Sequence, residues 1–328
     1  MTVPLPSSLR PLALAALHRW QYYHDLIRGK WRTFSFREMW LNSRERRKAL
    51  RHAVTIVPDV NGFRFVVYPF DRRNLTSIVR HPYDISEFRA IPLLVREGDV
   101  ALDIGANVGL YSVLLSRLCG RTGRVWAFEP IPETHWRLRE TLVLNRCENV
   151  IPVRKAACDK SGTVQMNLFA PQFSEWNTLG LPSMPASGGK RLSPSASLEV
   201  PACCLDRFCE AESLERINFL KVDVEGFEVS VFLGAQRLLR EHRVDYICFE
   251  ISQEPLRGAG VKSRQVFEAL EAYGYSAYRF DRTSGRFEGP VRDTSEEWTN
   301  FFASWKDLSL FGTTRRDKAS PTSPGGLP

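Results

Sequence analysis

No run of apolar residues in this 328-residue chain approaches the ~20 needed to cross a bilayer as a helix. The best candidate, residues 11–17, is far shorter and meets His18, Arg19 and Trp20 at once. A secretory leader is also missing, because no basic segment precedes an apolar stretch with a small-residue cleavage site. Zinc spacing is absent too: Cys203, Cys204 and Cys209 read C-C-x4-C, which is not a zinc pattern. Seven cysteines, an odd number without regular intervals, point to reduced thiols and a cytoplasmic setting. No internal repeat is visible.

What remains is an ordinary globular composition, 43% apolar and 25% charged. The length allows one large domain or two small ones. The net charge of +8 is unevenly placed. Residues 1–54 hold eleven Lys or Arg against Asp25, Glu38 and Glu45, whereas residues 55–328 balance at 34 against 34. A basic, aromatic-containing leader suits an acidic partner, an anionic membrane surface or nucleic acid, and equally suits a solvated helical appendage.

Periodicity organises the rest. Residues 12–31 and 34–52 read as helices. Residues 54–57 and 62–68 flank a Pro58-to-Gly62 turn cluster ending in Asn-Gly, a hairpin signal. A helical stretch over 86–96 leads to a regular alternation of strands and helices. Strands are predicted over 100–104, 124–128, 150–153, 163–169, 217–222, 244–251, 275–280 and 298–304. Helices are predicted over 108–118, 132–146, 228–241 and 263–273. Such alternation implies a mostly parallel sheet covered on both faces. Residues 171–197, rich in Ser, Pro and Gly, read as a surface loop or lid. Residues 313–328 have almost nothing apolar to bury and are expected to be disordered.

The most informative stretch is V-A-L-D-I-G-A-N-V-G, residues 100–109. A strand ends on Asp103 and turns through Gly105 and Gly109 into a helix. A second strand ends on Glu129. The turn lacks the G-x-G-x-x-G of dinucleotide binders, whose helix-end amides face a pyrophosphate. Asp103 at its mouth repels phosphate but suits the ammonium and sulfonium of S-adenosylmethionine. Glu129 is placed to accept hydrogen bonds from ribose hydroxyls.

The other informative stretch is N-F-L-K-V-D-V-E-G, residues 218–226, where a strand presents Lys221, Asp223 and Glu225 before breaking at Gly226. Ligands of open α/β sheets lie beyond the carboxyl ends of the strands, so Asp103, Glu129, Asp223 and Glu225 gather at one rim. Acids without His or Cys make a poor zinc site but can take a proton or orient a hydroxyl. A salt-bridged Lys–Asp strand end is the plainer alternative.

D-I-G-A-N-V-G-L-Y-S, A-F-E-P, A-A-C-D-K-S-G and I-N-F-L-K-V-D-V-E-G-F-E, with L-G-A-Q downstream, resemble the FkbM family of S-adenosylmethionine-dependent methyltransferases. The resemblance covers residues 97–273 and reaches weakly to 298–301. It implies a class I methyltransferase fold, an α/β, Rossmann-like, doubly wound sheet that is mostly parallel with an antiparallel last strand. It further implies O-methylation of a small-molecule hydroxyl, on a sugar or a natural-product scaffold. By position, Asp103, Gly105, Asn107 and Gly109 hold the methionine part of the cofactor. Glu129 holds the ribose, and Ala157 with its neighbours lies near the adenine. Asp223 and Glu225 face the methyl group and acceptor, and either, or neither, serves as the base. No metal is implied.

The expected organisation is a basic helical extension (1–53), a hairpin and helical lead-in packed on the core (54–96), a methyltransferase domain (97–312) and a loose tail (313–328). A nucleic-acid methyltransferase is disfavoured: no Asn/Asp-Pro-Pro-aromatic motif and no strand-end nucleophilic Cys follow Phe219. A non-catalytic binding protein on the same fold is the other rival, and it leaves the two acids and the intact turn unexplained.

Overall fold

The computed structural model describes residues 55–58, 62–67, 85–182, 184–185 and 191–311. The basic leader of residues 1–54 and the tail of residues 313–328, with the helices and disorder expected there, lie outside the described residues. The chain divides into compact units at Arg80/His81, inside the 54–96 segment expected as one lead-in. In the first unit, β1 (Thr55–Pro58) and β2 (Arg64–Val67) form the expected antiparallel hairpin, with Val57 opposite Phe65. Gly62 in its turn has φ +76°, the left-handed backbone that the Asn-Gly pair signals.

The second unit opens with α1 (Ile85–Leu94), β3 (Val100–Ile104), α2 (Leu110–Cys119), β4 (Arg124–Phe128), α3 (Pro132–Leu144) and β5 (Val150–Val153). A small sheet follows, made of β6 (Ala156–Ala157), β7 (Gly162–Leu168) and, after the two-residue strands β8 (Met184–Pro185) and β9 (Arg191–Leu192), β10 (Ala196–Cys203). Then come α4 (Leu205–Ala211), β11 (Ile217–Val222), α5 (Glu228–Leu233), α6 (Gln236–Arg240) and β12 (Val244–Ser252). The described chain closes with α7 (Gln253–Ala259), α8 (Ser263–Glu271), β13 (Ser276–Asp281), β14 (Arg286–Val291) and β15 (Trp298–Ser304).

The main sheet has the order β14-β13-β15-β12-β11-β3-β4-β5. Strands β3, β4, β5, β11 and β12 run parallel, and β15 runs antiparallel to both of its neighbours, β12 and β13. This is the doubly wound sheet with an antiparallel last strand that the family resemblance implies. The strand order reverses between β3 and β11, and that crevice is where such sheets bind ligands. Phe219, Leu220 and Val222 of β11 are wholly buried, as expected of a strand covered on both faces.

Three expectations need correction. Residues 171–197 are not simply loop: they hold a 3-10 turn (Pro171–Trp176), β8, β9 and the first residues of β10, which pairs antiparallel with β7 from Ala202↔Gly162 to Ala196↔Leu168. Strand β14 was not expected, because Gly289 and Pro290 interrupt its alternation; only an edge strand tolerates that proline. The helix expected over 228–241 is two helices. Gly234 lies so close to another chain segment that a Cβ there would sit 2.1 Å from the Cys158 carbonyl oxygen, and the chain kinks at that point.

The second helix, α6, starts afresh on a borrowed cap. Asp206, at the start of α4, accepts hydrogen bonds from Arg237 N (2.8 Å) and Leu238 N (3.0 Å). All seven cysteines are free thiols. Among the described residues, no helix is long and apolar enough to cross a membrane.

Because Asp206 satisfies two amide donors that no intrahelical carbonyl reaches, Asp206→Ala is expected to lower unfolding stability by about 1–2 kcal/mol. Asp206→Asn keeps an acceptor and should recover at least half of that loss. Urea unfolding of the two variants beside the parent checks it, and an unchanged midpoint for Asp206→Ala would refute the cap.

Candidate active site

Two turns meet at the crevice. The first leaves β3 at Asp103 and is pinned from the side: Gly105 N and Ala106 N both donate to the Phe128 carbonyl oxygen, at 3.0 and 2.8 Å. The second leaves β11, where Asp223 N donates to the Ile104 carbonyl oxygen (2.9 Å). Gly105 has φ +83°, and a Cβ there would stand 1.8 Å from the Asp223 carbonyl oxygen. Glycine is therefore required by the neighbouring turn as well as by any ligand. Gly109, also left-handed, has a different role. A Cβ at that position would meet Leu138 Cδ1 at 2.8 Å, so this glycine lets α3 approach the start of α2.

Asp103 is 1% exposed, and its Oδ2 accepts from the Ser112 hydroxyl at 2.6 Å. Burial pushes its pKa up to about 6, opposed by the Ser112 hydrogen bond and the Lys221 charge. Glu129 is likewise buried. Its Oε2 accepts from Asn107 N (3.1 Å) and its Oε1 from Ile131 N (2.9 Å), so one carboxylate ties the turn after β3 to the start of α3. Burial raises its pKa to about 7 despite these two bonds. A carboxylate has about four lone-pair sites, which leaves capacity for two ribose hydroxyls. Asn107 adopts φ +48°, and its buried Oδ1 has no hydrogen-bond partner among the described residues. An acceptor of that kind suits the ammonium of S-adenosylmethionine, and the turn as a whole fits that cofactor. Ala157 is buried in β6 opposite Cys203, in the hydrophobic cluster that also holds Phe128 and Leu205.

Lys221 pairs with Asp103 across the β11–β3 register and is wholly buried. Its Nζ donates to Asp223 Oδ2 (3.3 Å) and Asn300 Oδ1 (3.1 Å) and lies 4.9 Å from the centre of the Tyr111 ring. The salt-bridged strand end read as the plainer alternative is thus present. It is also part of something larger. Carboxylate oxygens of Asp223, Glu225 and Glu250 all lie within 4.8 Å of one another. Glu225 holds a left-handed backbone at φ +51°, fixed by the Thr178 hydroxyl, which donates to its carbonyl oxygen at 2.6 Å. Burial first, then the negative charges around them, Asp223 foremost, push Glu225 and Glu250 well above the ordinary carboxylate range. Glu228 is buried beside them, with Oε1 accepting from Gly226 N (3.2 Å) and Val224 N (3.4 Å), and burial raises its pKa to about 7.

Glu250 and Asn300 were not anticipated. They face each other across the β12–β15 register, and no local motif marks them. Glu250 is the one charge in the strand Val244–Ser252 beyond Asp245, and a lone acid inside an apolar strand was the available signal.

Comparison with known proteins identifies the family. A family model described as the methyltransferase FkbM domain matches residues 103–277. The chain is 28% identical over 218 residues to the hexuronic acid methyltransferase AglP of Haloferax volcanii, covering 66% of this chain and 79% of that protein. It is 27% identical over 213 residues to methyltransferase sdnD of Sordaria araneosa, covering 56% of this chain and 77% of that one. Among solved structures, an O-methyltransferase from Bacillus cereus in complex with SAH aligns at TM-score 0.40 and 14% identity, over 81% of this chain and 92% of that one. The fold assignment rests on the strand order. The matched segment begins at Asp103 and includes both acidic turns, and the chain belongs to the FkbM family of S-adenosylmethionine-dependent methyltransferases.

Proposed function

We propose that this methyltransferase acts on a hydroxyl oxygen of a small molecule, a sugar or a natural-product scaffold. The observation that carries this reading is the backbone contact at Gly105, which sets the cofactor turn directly against the Asp223–Glu225 turn. Asp103, Gly105, Asn107 and Glu129 are the cofactor side of the crevice, and Asp223 and Glu225 are the acceptor side. Similarity to a hexuronic acid methyltransferase supports a sugar-like acceptor.

S-adenosylmethionine supplies an already activated methyl group, so the chain's task is alignment and exclusion of water. The hydroxyl gives its proton to a carboxylate oxygen of Glu225 or Asp223 as its oxygen gains the methyl group, typically a ~10²–10⁴-fold contribution. Glu225, which burial and then the charge of Asp223 hold above the ordinary carboxylate range, takes the proton in its ionised form. The segment around the 3-10 turn walls the acceptor side, anchored by Thr178 on Glu225.

Two predictions follow from these roles. Ribose hydroxyls donate to the ionised form of Glu129, so cofactor binding must expel the proton that this group holds below about pH 7. Affinity for the demethylated cofactor should therefore rise with pH, by roughly five- to tenfold from pH 6 to pH 8, and then level. Calorimetry at both pH values checks this, and Glu129→Gln should bind more weakly with a flat profile. The same slope in Glu129→Gln would remove Glu129 from the ribose site.

On the acceptor side, Glu225→Gln and Asp223→Asn should each lower turnover at least about tenfold while cofactor affinity stays within a few-fold. Their stabilities should part company. Asp223→Asn removes one ion pair of the buried Lys221 and lowers the melting temperature, whereas Glu225→Gln removes like-charge repulsion and does not. Parental turnover in both variants would make the acids structural.

A further inference from the structure

We propose that Asp223, Glu225 and Glu250 bind one hard divalent cation, magnesium or manganese, on the acceptor side of the cofactor turn. One oxygen from each carboxylate lies within 4.8 Å of the other two. Oxygens that share such an ion sit about 2.0–2.6 Å from it and hence no more than about 5 Å apart. They come from two adjacent parallel strands, Asp223 and Glu225 from the turn just past β11 and Glu250 from within β12. An all-oxygen set without His or Cys favours a hard cation over zinc.

Buried polar groups around the triad lack the partners that an ion and its waters would supply. Glu250 is 7% exposed, and no hydrogen bond or ion pair reaches its carboxylate among the described residues. Asn300, opposite Glu250 in register and 6% exposed, spends its Oδ1 on Lys221 and leaves Nδ2 unpartnered. Glu228, 2% exposed, holds the amides on either side of Glu225 with Oε1 and leaves Oε2 unpartnered. Buried groups of this kind are almost always satisfied in folded proteins.

Water on a hydrated ion offers lone pairs to Asn300 Nδ2 and hydrogens to Glu228 Oε2. An ion at this position would also hold an acceptor hydroxyl beside the cofactor turn and ease loss of its proton. That use rests on the acceptor reading above; the binding of the ion does not.

The test is manganese uptake by the full-length, chelator-stripped protein without any acceptor, read as loss of the free-ion paramagnetic resonance signal. Saturable uptake of one ion per chain below about 1 mM, competed by magnesium, is expected. Glu250→Gln and Glu225→Gln should each weaken uptake at least about tenfold, while affinity for the demethylated cofactor stays within about threefold and shows the fold intact. Manganese should also raise the melting temperature of the parent but not of Glu225→Gln. No saturable uptake by the parent, or uptake unchanged in Glu250→Gln, overturns the site. Uptake with no methyl transfer to any hydroxyl compound supports the ion site and overturns the acceptor reading instead.

Discussion

The approach of Gly105 to the carbonyl oxygen of Asp223 is the constraint on which the site depends. A Cβ at that point would lie 1.8 Å from a backbone atom, which no side-chain rearrangement relieves. With glycine there, two loops from adjacent parallel strands lie in contact, and the ends of β3 and β11 come into register with Asp103 beside Lys221. Every acid in the site then falls on one rim. The amide of Asp223 donating to Ile104 and those of Gly105 and Ala106 donating to Phe128 lock the arrangement without using a side chain.

The electrostatics of that rim are organised around a buried ammonium. Lys221 is held by Asp223, Asn300 and the face of Tyr111, three groups from three elements of the unit. Burying a charge of this kind is costly unless it is paired and hydrogen-bonded. Its position between the Asp103 turn and the Asp223 turn lowers the cost of ionising both sides, and it appears among the charges opposing the pKa rise of Asp103, Glu225 and Glu250. A substitution at Lys221 would therefore reach Asp103 and the Asp223–Glu225 turn together.

Much of the fold was legible because the core strands are short apolar runs stopped by turn chemistry. The expected limits of β3, β4, β5, β11 and β15 coincide with those observed. Strand order was not a matter of local pattern; it came with the family resemblance carried by the two motifs. What stayed illegible depends on contacts between distant segments. The break between α5 and α6 arises where the chain passes Cys158, and the cap of α6 comes from Asp206 thirty-one residues away. Glu250 and Asn300 enter the site through the β12–β15 register, which no single window of sequence reveals. Gly109 was legible as part of the turn into α2, but its neighbours, Leu138 and Thr141, belong to the next helix.

The hydrogen bond from Thr178 to the carbonyl of Glu225 ties the most irregular part of the second unit to the least forgiving one. Around it, Leu181 N donates to the Gly258 carbonyl oxygen and Arg191 pairs with Glu254, both on α7. The described part of the stretch between β7 and β10 is thus fastened to α7 on one side and to β7 on the other, where Asn167 and Thr178 exchange backbone hydrogen bonds. That fastening works as a mounting plate: the hydroxyl at 178 and the anchors on α7 clamp the described part of the insert to the turn that carries Glu225, so a change in the insert reaches that turn through three fixed points.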